Sequence, residues 1–202
     1  MKRIAITSEK GGVGKSTLAI NLAGALSTYG QVVLVDEDLR VRSCIQWAAL
    51  APLPFEVLTP GEAGAASEKI ATADYLIVDS EGRPAMTDLS ELAINFDLVL
   101  LPTGVSRLEM QNTLNLWAEL QKLGDISKLR VVISKVPPVG RVGQDARDAL
   151  RTGGVHCLDT VIRRSTAHER AAEAGGLVRD VRDDRAKEAW ADIMNVAHEV
   201  RA

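Results

Sequence analysis

At 202 residues, 46% apolar and 25% charged, the chain is long enough for one globular domain, residues 1–202, with a sizeable core on both faces of a sheet. Its net charge of −3 gives no whole-molecule attraction for nucleic acid, so any DNA contact must come from a local patch. No apolar run approaches a membrane span and Met1-Lys2-Arg3 leads into a short strand, not a signal-peptide h-region; Cys44 and Cys157, without C-x-x-C spacing, read as reduced residues of a cytosolic protein.

Ile4-Ala5-Ile6 reads as a buried strand. Lys10-Gly11-Gly12-Val13-Gly14-Lys15-Ser16-Thr17 follows and opens onto a helix from Ser16 to Thr28, the strand–loop–helix setting of a phosphate loop. Glycines let backbone N–H groups turn inward onto phosphate oxygens, and the helix N-terminus adds partial positive charge. Lys15 is then expected on the β- and γ-phosphates, Ser16 on Mg²⁺ and Thr17 on the α-phosphate. The strict pattern G-x-x-x-x-G-K-[ST] fails at Glu9, and a dinucleotide loop fits worse, because Thr17 stands where its third glycine belongs.

Gln31–Val35 reads as the second strand, with Asp36-Glu37-Asp38 directly after it. Helical patterns cover Arg42–Leu50 and, beyond Pro52-x-Pro54, Glu62–Ala71. Strand Tyr75–Val78 ends at Asp79, and Ser80-Glu81-Gly82 follows. A helix over Met86–Asn95 precedes strand Leu98–Leu101 with Pro102-Thr103. The next helix, Ser106–Leu123, carries Leu114, Trp117, Leu120 and Leu123 as one apolar stripe. Strand Arg130–Ile133 runs into Ser134-Lys135-Val136, Pro137-Pro138 marks a loop, and a helix spans Val142–Leu150. Strands apolar on both faces, alternating with amphipathic helices, predict an α/β, doubly wound, mainly parallel sheet covered on both faces, its ligand at the carboxyl ends of the strands.

The loop as a whole matches x-K-G-G-x-G-K-[ST], the deviant Walker A motif, and here the chain resembles the ParA/MinD group of P-loop ATPases. The resemblance implies ATP and Mg²⁺ as cofactors. It implies that Lys10 crosses an ATP-dependent homodimer interface to the partner's nucleotide, which would neutralise transition-state charge. Gly11, Gly12, Val13, Gly14, Lys15, Ser16 and Thr17 would hold the nucleotide. The family's D-x-D-P-Q segment matches Asp36-Glu37-Asp38, with Leu39 and Arg40 in place of Pro-Gln. Asp38 would orient the attacking water, while Asp36 would support the Mg²⁺ shell or the switch conformation. Asp79 matches the Walker B position and would hold Mg²⁺ through water and bond Ser16; Gly82 could offer an N–H to the γ-phosphate. Pro102 matches a segment that lines the nucleotide pocket in relatives, and Lys135 stands where they carry Asn-Arg or Thr-Arg beside adenine. Two cysteines lack the cluster pattern of the related nitrogenase iron protein.

Val161–Glu173 is similar to the I-x-x-R-x-A-[FY]-R-E-A segment of small ParA proteins of the ParF-like branch, which lacks an N-terminal DNA-binding extension. His168 replaces the aromatic residue and reads as a packing imidazole. Arg163, Arg164 and Arg170, extended by Arg179, Arg182 and Arg185, could form a patch for DNA phosphates, but interleaved Glu169, Glu173, Asp180, Asp183 and Asp184 fit a salt-bridged face as well. The last segment, Arg185–Arg201, is apolar on one side. Its mixed-sign polar face disfavours a membrane-targeting helix, so no membrane partner is expected.

These features imply a slow, partner-stimulated ATP hydrolase acting in plasmid or chromosome partition. Its ATP dimer would bind nonspecific DNA on the nucleoid, and hydrolysis prompted by a centromere-binding, ParB-like adaptor would release it. Four alternatives share parts of the pattern: a ParA-like positioner of protein cargo, a MinD-like membrane switch, a metabolic P-loop enzyme akin to dethiobiotin synthetase, and a module that binds ATP without hydrolysing it.

Overall fold

The computed structural model describes residues 1–82 and 84–202, with the side chain of Leu123 left aside. A seven-stranded sheet in the order β3-β2-β4-β1-β5-β6-β7 organises the chain, and every strand pair in it is parallel. The strands are β1 (Lys2–Ile6), β2 (Val32–Asp36), β3 (Glu56–Leu58), β4 (Tyr75–Asp79), β5 (Leu98–Thr103), β6 (Leu129–Val136) and β7 (Cys157–Arg163). Between and after them lie α1 (Lys15–Leu26), α2 (Ser43–Ala48), α3 (Pro60–Ala65), α4 (Ser67–Thr72), α5 (Met86–Asn95), α6 (Arg107–Leu123), α7 (Val142–Thr152), α8 (Thr166–Ala174) and α9 (Ala186–Arg201). The chain winds from β1 outward to β2 and β3, returns to β4, then crosses β1 to reach β5. That reversal opens a crevice at the carboxyl ends of the central strands.

Strand alternation divides the core. Ile4 and Ile6 of β1, Leu34 of β2 and Leu100 of β5 face the layer of α1, α8 and α9; Ala5, Val99 and Leu101 face α5, α6 and α7. Each fully buried Leu or Ile of this kind contributes about 1.5–3 kcal/mol. Helix α1 is buried at every residue from Leu18 to Leu26, because it lies between the sheet and α9. Gly24 permits this: a Cβ there would stand 2.5 Å from Leu177 Cδ1. On the other face Trp117 and Leu120 of the α6 stripe are buried and Leu114 is partly so, whereas the Leu123 side chain lies outside the described residues.

Three elements differ from the sequence expectation. The helix expected over Glu62–Ala71 is two short ones, α3 and α4, interrupted at Ala66 (φ −95°, ψ 21°). Thr59 and Glu62 cap the first reciprocally, with Pro60 in its first turn, so α3 begins earlier than the apolar pattern suggests. Strands β3 and β7 were not expected. The first has only three residues, and the second is an edge strand with Asp159 in its middle and register shifts against β6.

Candidate nucleotide site

The loop after β1 turns at Gly12 (φ +80°) and Gly14 (φ +94°), conformations open to glycine at little cost. Gly14 also caps α1, accepting Leu18 N at 2.8 Å. Lys10, Gly11, Lys15 and Ser16 line a groove of about 620 Å³ above this loop, with Asp38 and Gly82 on its far side. The groove therefore gathers the expected P-loop with the residues after β2 and β4. Ser8 Oγ donates to Lys10 O at 2.9 Å, and among the described residues the Lys10 ammonium has no ion-pair partner.

Strands β2 and β4 pair in register, so Asp36 stands beside Asp79 at the same level of the sheet. Asp79 is fully buried; its Oδ1 accepts Lys15 Nζ at 2.6 Å and its Oδ2 accepts the Cys44 thiol at 3.2 Å. Burial pushes the Cys44 thiol far above its ordinary value, and the carboxylates of Asp79 and Asp36 push it further, so Cys44 is a proton donor here and no thiolate. Asp36 spends its oxygens on backbone: Oδ2 accepts Cys44 N (2.8 Å) and Ile45 N (3.1 Å), and Oδ1 accepts Asp38 N (3.2 Å). Burial raises its carboxyl, neighbouring Asp79 raises it further, and those amides pull it back. Of the two roles implied for Asp36, its geometry fits the brace of the switch segment: it ties β2 to the start of α2.

Asp38 Oδ1 accepts Arg40 N (3.2 Å) and Val41 N (3.0 Å), while its Oδ2 has no hydrogen-bond partner among the described residues. Arg40-Val41 thus wraps the carboxylate with amides, and the segment closes at Arg42, whose φ of +53° is left-handed. A half-exposed carboxylate held by its own loop beside a phosphate groove is suited to orienting water. Ser16 and Asp79 are the residues that fit a magnesium ion. Among the described residues no three His, Cys, Asp or Glu side chains converge as a metal-holding group.

A second cavity, of about 430 Å³, adjoins the groove and shares Gly14, Thr17, Lys135 and Ala172 with it. Its outer wall is Arg164, Ser165 and His168. Lys135 adopts φ +54°, which costs a residue with a Cβ about 1 kcal/mol, and its ammonium donates to Gly12 O. Ser134 Oγ lies 3.0 Å from Val13 O and 3.1 Å from Thr103 O. His168 is half-buried, with both ring nitrogens buried and without a hydrogen-bond partner among the described residues. Burial pushes its pKa down, Lys135 adds to this and Asp192 opposes it.

Pro102 lines neither cavity. It sits in β5 beyond the stretch paired with β1, so its missing N–H interrupts no bond there, and it borders a void of about 30 Å³ behind Glu9 and Lys10. The three arginines that could form a DNA patch or a salt-bridged face differ in their pairing. Arg163 bonds Asp192 (Nη2–Oδ1 2.7 Å, Nε–Oδ2 2.9 Å), with Glu188 3.6 Å away. Arg170 pairs with Asp183 at 3.1 Å and donates to Arg182 O. Arg164 is exposed and has no ion-pair partner among the described residues. The sequence alone assigned no site role to Cys44, Ser134 or Trp47, whose Nε1 donates to Gly176 O at 3.0 Å. For Ser134 a signal existed: a lone small hydroxyl ending the apolar run Val131-Val132-Ile133.

A family model described as the CobQ/CobB/MinD/ParA nucleotide binding domain matches residues 4–178. Over 203 residues the chain is 31% identical to maintenance of carboxysome distribution protein A of Gloeobacter kilaueensis, covering 98% of this chain and 93% of that protein. Two solved structures share the fold: MinD of Aquifex aeolicus (TM-score 0.74, 17% identity, 100% and 97% of the two chains) and a ParA family ATPase of Chlorobium tepidum (TM-score 0.68, 17% identity, 98% of each).

Proposed function

This chain belongs to the CobQ/CobB/MinD/ParA nucleotide-binding family and is an ATPase of the ParA/MinD type, and on that footing we propose that it positions a large protein assembly inside the cell. Partition of a plasmid or chromosome, to which the motifs pointed first, would use the same groove, so the site does not discriminate. One observation favours protein cargo: the carboxysome distribution protein of Gloeobacter kilaueensis is 31% identical across nearly the whole of both chains, and its namesake from Halothiobacillus neapolitanus is 25% identical over 85% of this chain.

In this reading the groove would take ATP with its magnesium ion: Lys15 would leave Asp79 for the β- and γ-phosphates, and Asp79 and Ser16 would hold the metal, which would neutralise phosphate charge. Lys10, without an ion-pair partner among the described residues, reaches a second copy's nucleotide and makes the dimer ATP-dependent. Asp38 holds the attacking water, and a cargo-bound adaptor accelerates a slow hydrolysis by reshaping the segment from Asp38 to Gly82. The dimer rests on nonspecific DNA of the nucleoid in the cytoplasm. With Arg163 and Arg170 paired internally, that contact needs Arg164 together with cations that the dimer brings side by side. No helix among the described residues is long and apolar enough to cross a membrane.

The deciding experiment deletes the gene and follows two things: loss of each replicon per generation, and the spacing of large protein assemblies by microscopy. Clustered or unevenly inherited assemblies with normal replicon inheritance support the proposal. Replicon loss with evenly spaced assemblies overturns it in favour of partition.

A further inference from the structure

The end of β6 grips the phosphate loop. Ser134 and Lys135 contact successive carbonyls of that loop, Val13 O and Gly12 O, across more than a hundred residues of sequence. In a trans peptide the C=O and the following N–H point in opposite directions. Holding Gly12 O toward β6 therefore turns Val13 N–H the other way, and holding Val13 O does the same for Gly14 N–H. Both peptides adjoin glycines at positive φ, where a flip meets little steric resistance, so the loop by itself has no strong preference for amides facing the groove. We infer that Lys135 is a positioning residue that, with Ser134, presets the amides of the phosphate loop for anion capture before nucleotide arrives.

Three features of Lys135 fit this role better than a contact to the base alone. Its left-handed backbone is rare for a long side chain and aims it back over the loop; Arg42 is the other non-glycine residue at positive φ among those described. The side chain packs along the loop, its Cε 3.6 Å from where a Cβ on Gly14 would stand. It also forms part of the wall shared by the phosphate groove and the adjoining cavity, so its position couples the two. The ammonium adds positive charge beside the cradle, a third lysine with Lys10 and Lys15. Because the amides serve phosphates and not the base, the clamp should matter equally for any nucleoside triphosphate.

This inference rests on the groove being the ATP site, and its test separates the two. Lys135→Met keeps the length and removes the donor. Affinities for ATP and GTP are measured with wild type, Lys135→Met, Lys135→Arg and Ser134→Ala, alongside ¹⁵N amide spectra of the nucleotide-free proteins. Lys135→Met should weaken both nucleotides by about tenfold or more, the scale of one charge-assisted hydrogen bond, with their ratio unchanged. Lys135→Arg should recover most of the loss, and Ser134→Ala should show a smaller loss of the same kind. Without nucleotide, the Val13 and Gly14 amide signals should shift or broaden in Lys135→Met. Unchanged affinity with unchanged amides overturns the clamp, as does a loss confined to ATP, which would make Lys135 a base contact. Wild type binding neither nucleotide would sink the ATP reading instead, while the amide signals would still judge the clamp. If Lys135→Met does not fold, Ser134→Ala and Lys135→Arg carry the same comparison.

Discussion

The two halves of the sheet's ligand edge handle charge differently. Beyond β1, β2 and β4, the ionic groups face one groove and are partnered by few other charges: Lys15 with Asp79, Lys10 and Asp38 with none among the described residues. Beyond β7 and along α8 and α9, Arg163 and Arg170 are each matched by an acidic side chain. A site that must receive a polyanion keeps its cations within reach, whereas the opposite half pairs Arg163 and Arg170 internally, which holds α8 and α9 in place, and leaves Arg164 exposed. Substitutions on the two sides should therefore fail in different ways, affinity and turnover on one, stability on the other.

The largest effect belongs to Lys15. Lys15→Ala should lower ATP affinity by about 100-fold or more, since it removes the cation proposed to reach the phosphates and takes from buried Asp79 its ion-pair partner. Titration of a fluorescent ATP analogue measures it, and affinity retained within a few-fold would break the comparison at its root. Asp38→Ala comes next: hydrolysis should fall by about 100-fold while ATP binding persists, because the carboxylate contacts only its own loop in the nucleotide-free protein. Phosphate release gives the rate, and sedimentation should show an accumulating ATP-bound dimer. Normal turnover would move the water-positioning role to another acid.

On the other half the expectation reverses. Asp192 is buried and accepts Arg163 N, Nε and Nη2, so Asp192→Ala should cost about 2 kcal/mol in urea unfolding and leave ATP affinity within about twofold. Glu188→Ala, at the exposed 3.6 Å contact, should cost under about 1 kcal/mol. A large loss of affinity in Asp192→Ala would mean that the pairing serves the nucleotide, not the packing.

The same division explains what could be read from the chain alone. Lys10–Thr17, Asp36, Asp38 and Asp79 each follow a recognisable apolar strand, so local spacing delivers them to one edge. Arg163 and Asp192 lie 29 residues apart on different elements, and no local pattern distinguishes a free arginine from a paired one. Ser134 and Lys135 act on backbone carbonyls over 120 residues away, a relation created by sheet order and invisible to spacing. Strand β7 carries few signals because, at the edge of the sheet, it tolerates the charged residues that a central strand excludes.

The smallest effect lies where the halves meet, at His168. Burial lowers its pKa, Lys135 lowers it further and Asp192 pulls it up, so the folded imidazole stays neutral where the unfolded one, near pH 6.5, begins to charge. Its share of stability is therefore complete above about pH 6.5 and is lost as pH falls from there toward the lowered value, with a slope of at most about 1.4 kcal/mol per pH unit. Glu9, Glu37 and Asp36, whose carboxyls are all raised mainly by burial, tilt the other way: their shares fade as pH rises through the carboxylate range. Only a difference measurement isolates the histidine. Wild-type stability minus that of His168→Phe, measured by urea unfolding from pH 5 to 7.5, should decline on the acid side of about 6.5 and be flat above it. In an Asp192→Ala background the decline should extend to lower pH, because the one charge supporting the imidazolium is gone. A flat difference across the whole range would mean that the imidazole turns its nitrogens to the adjoining cavity and titrates in water, placing His168 on the ligand's side of the boundary.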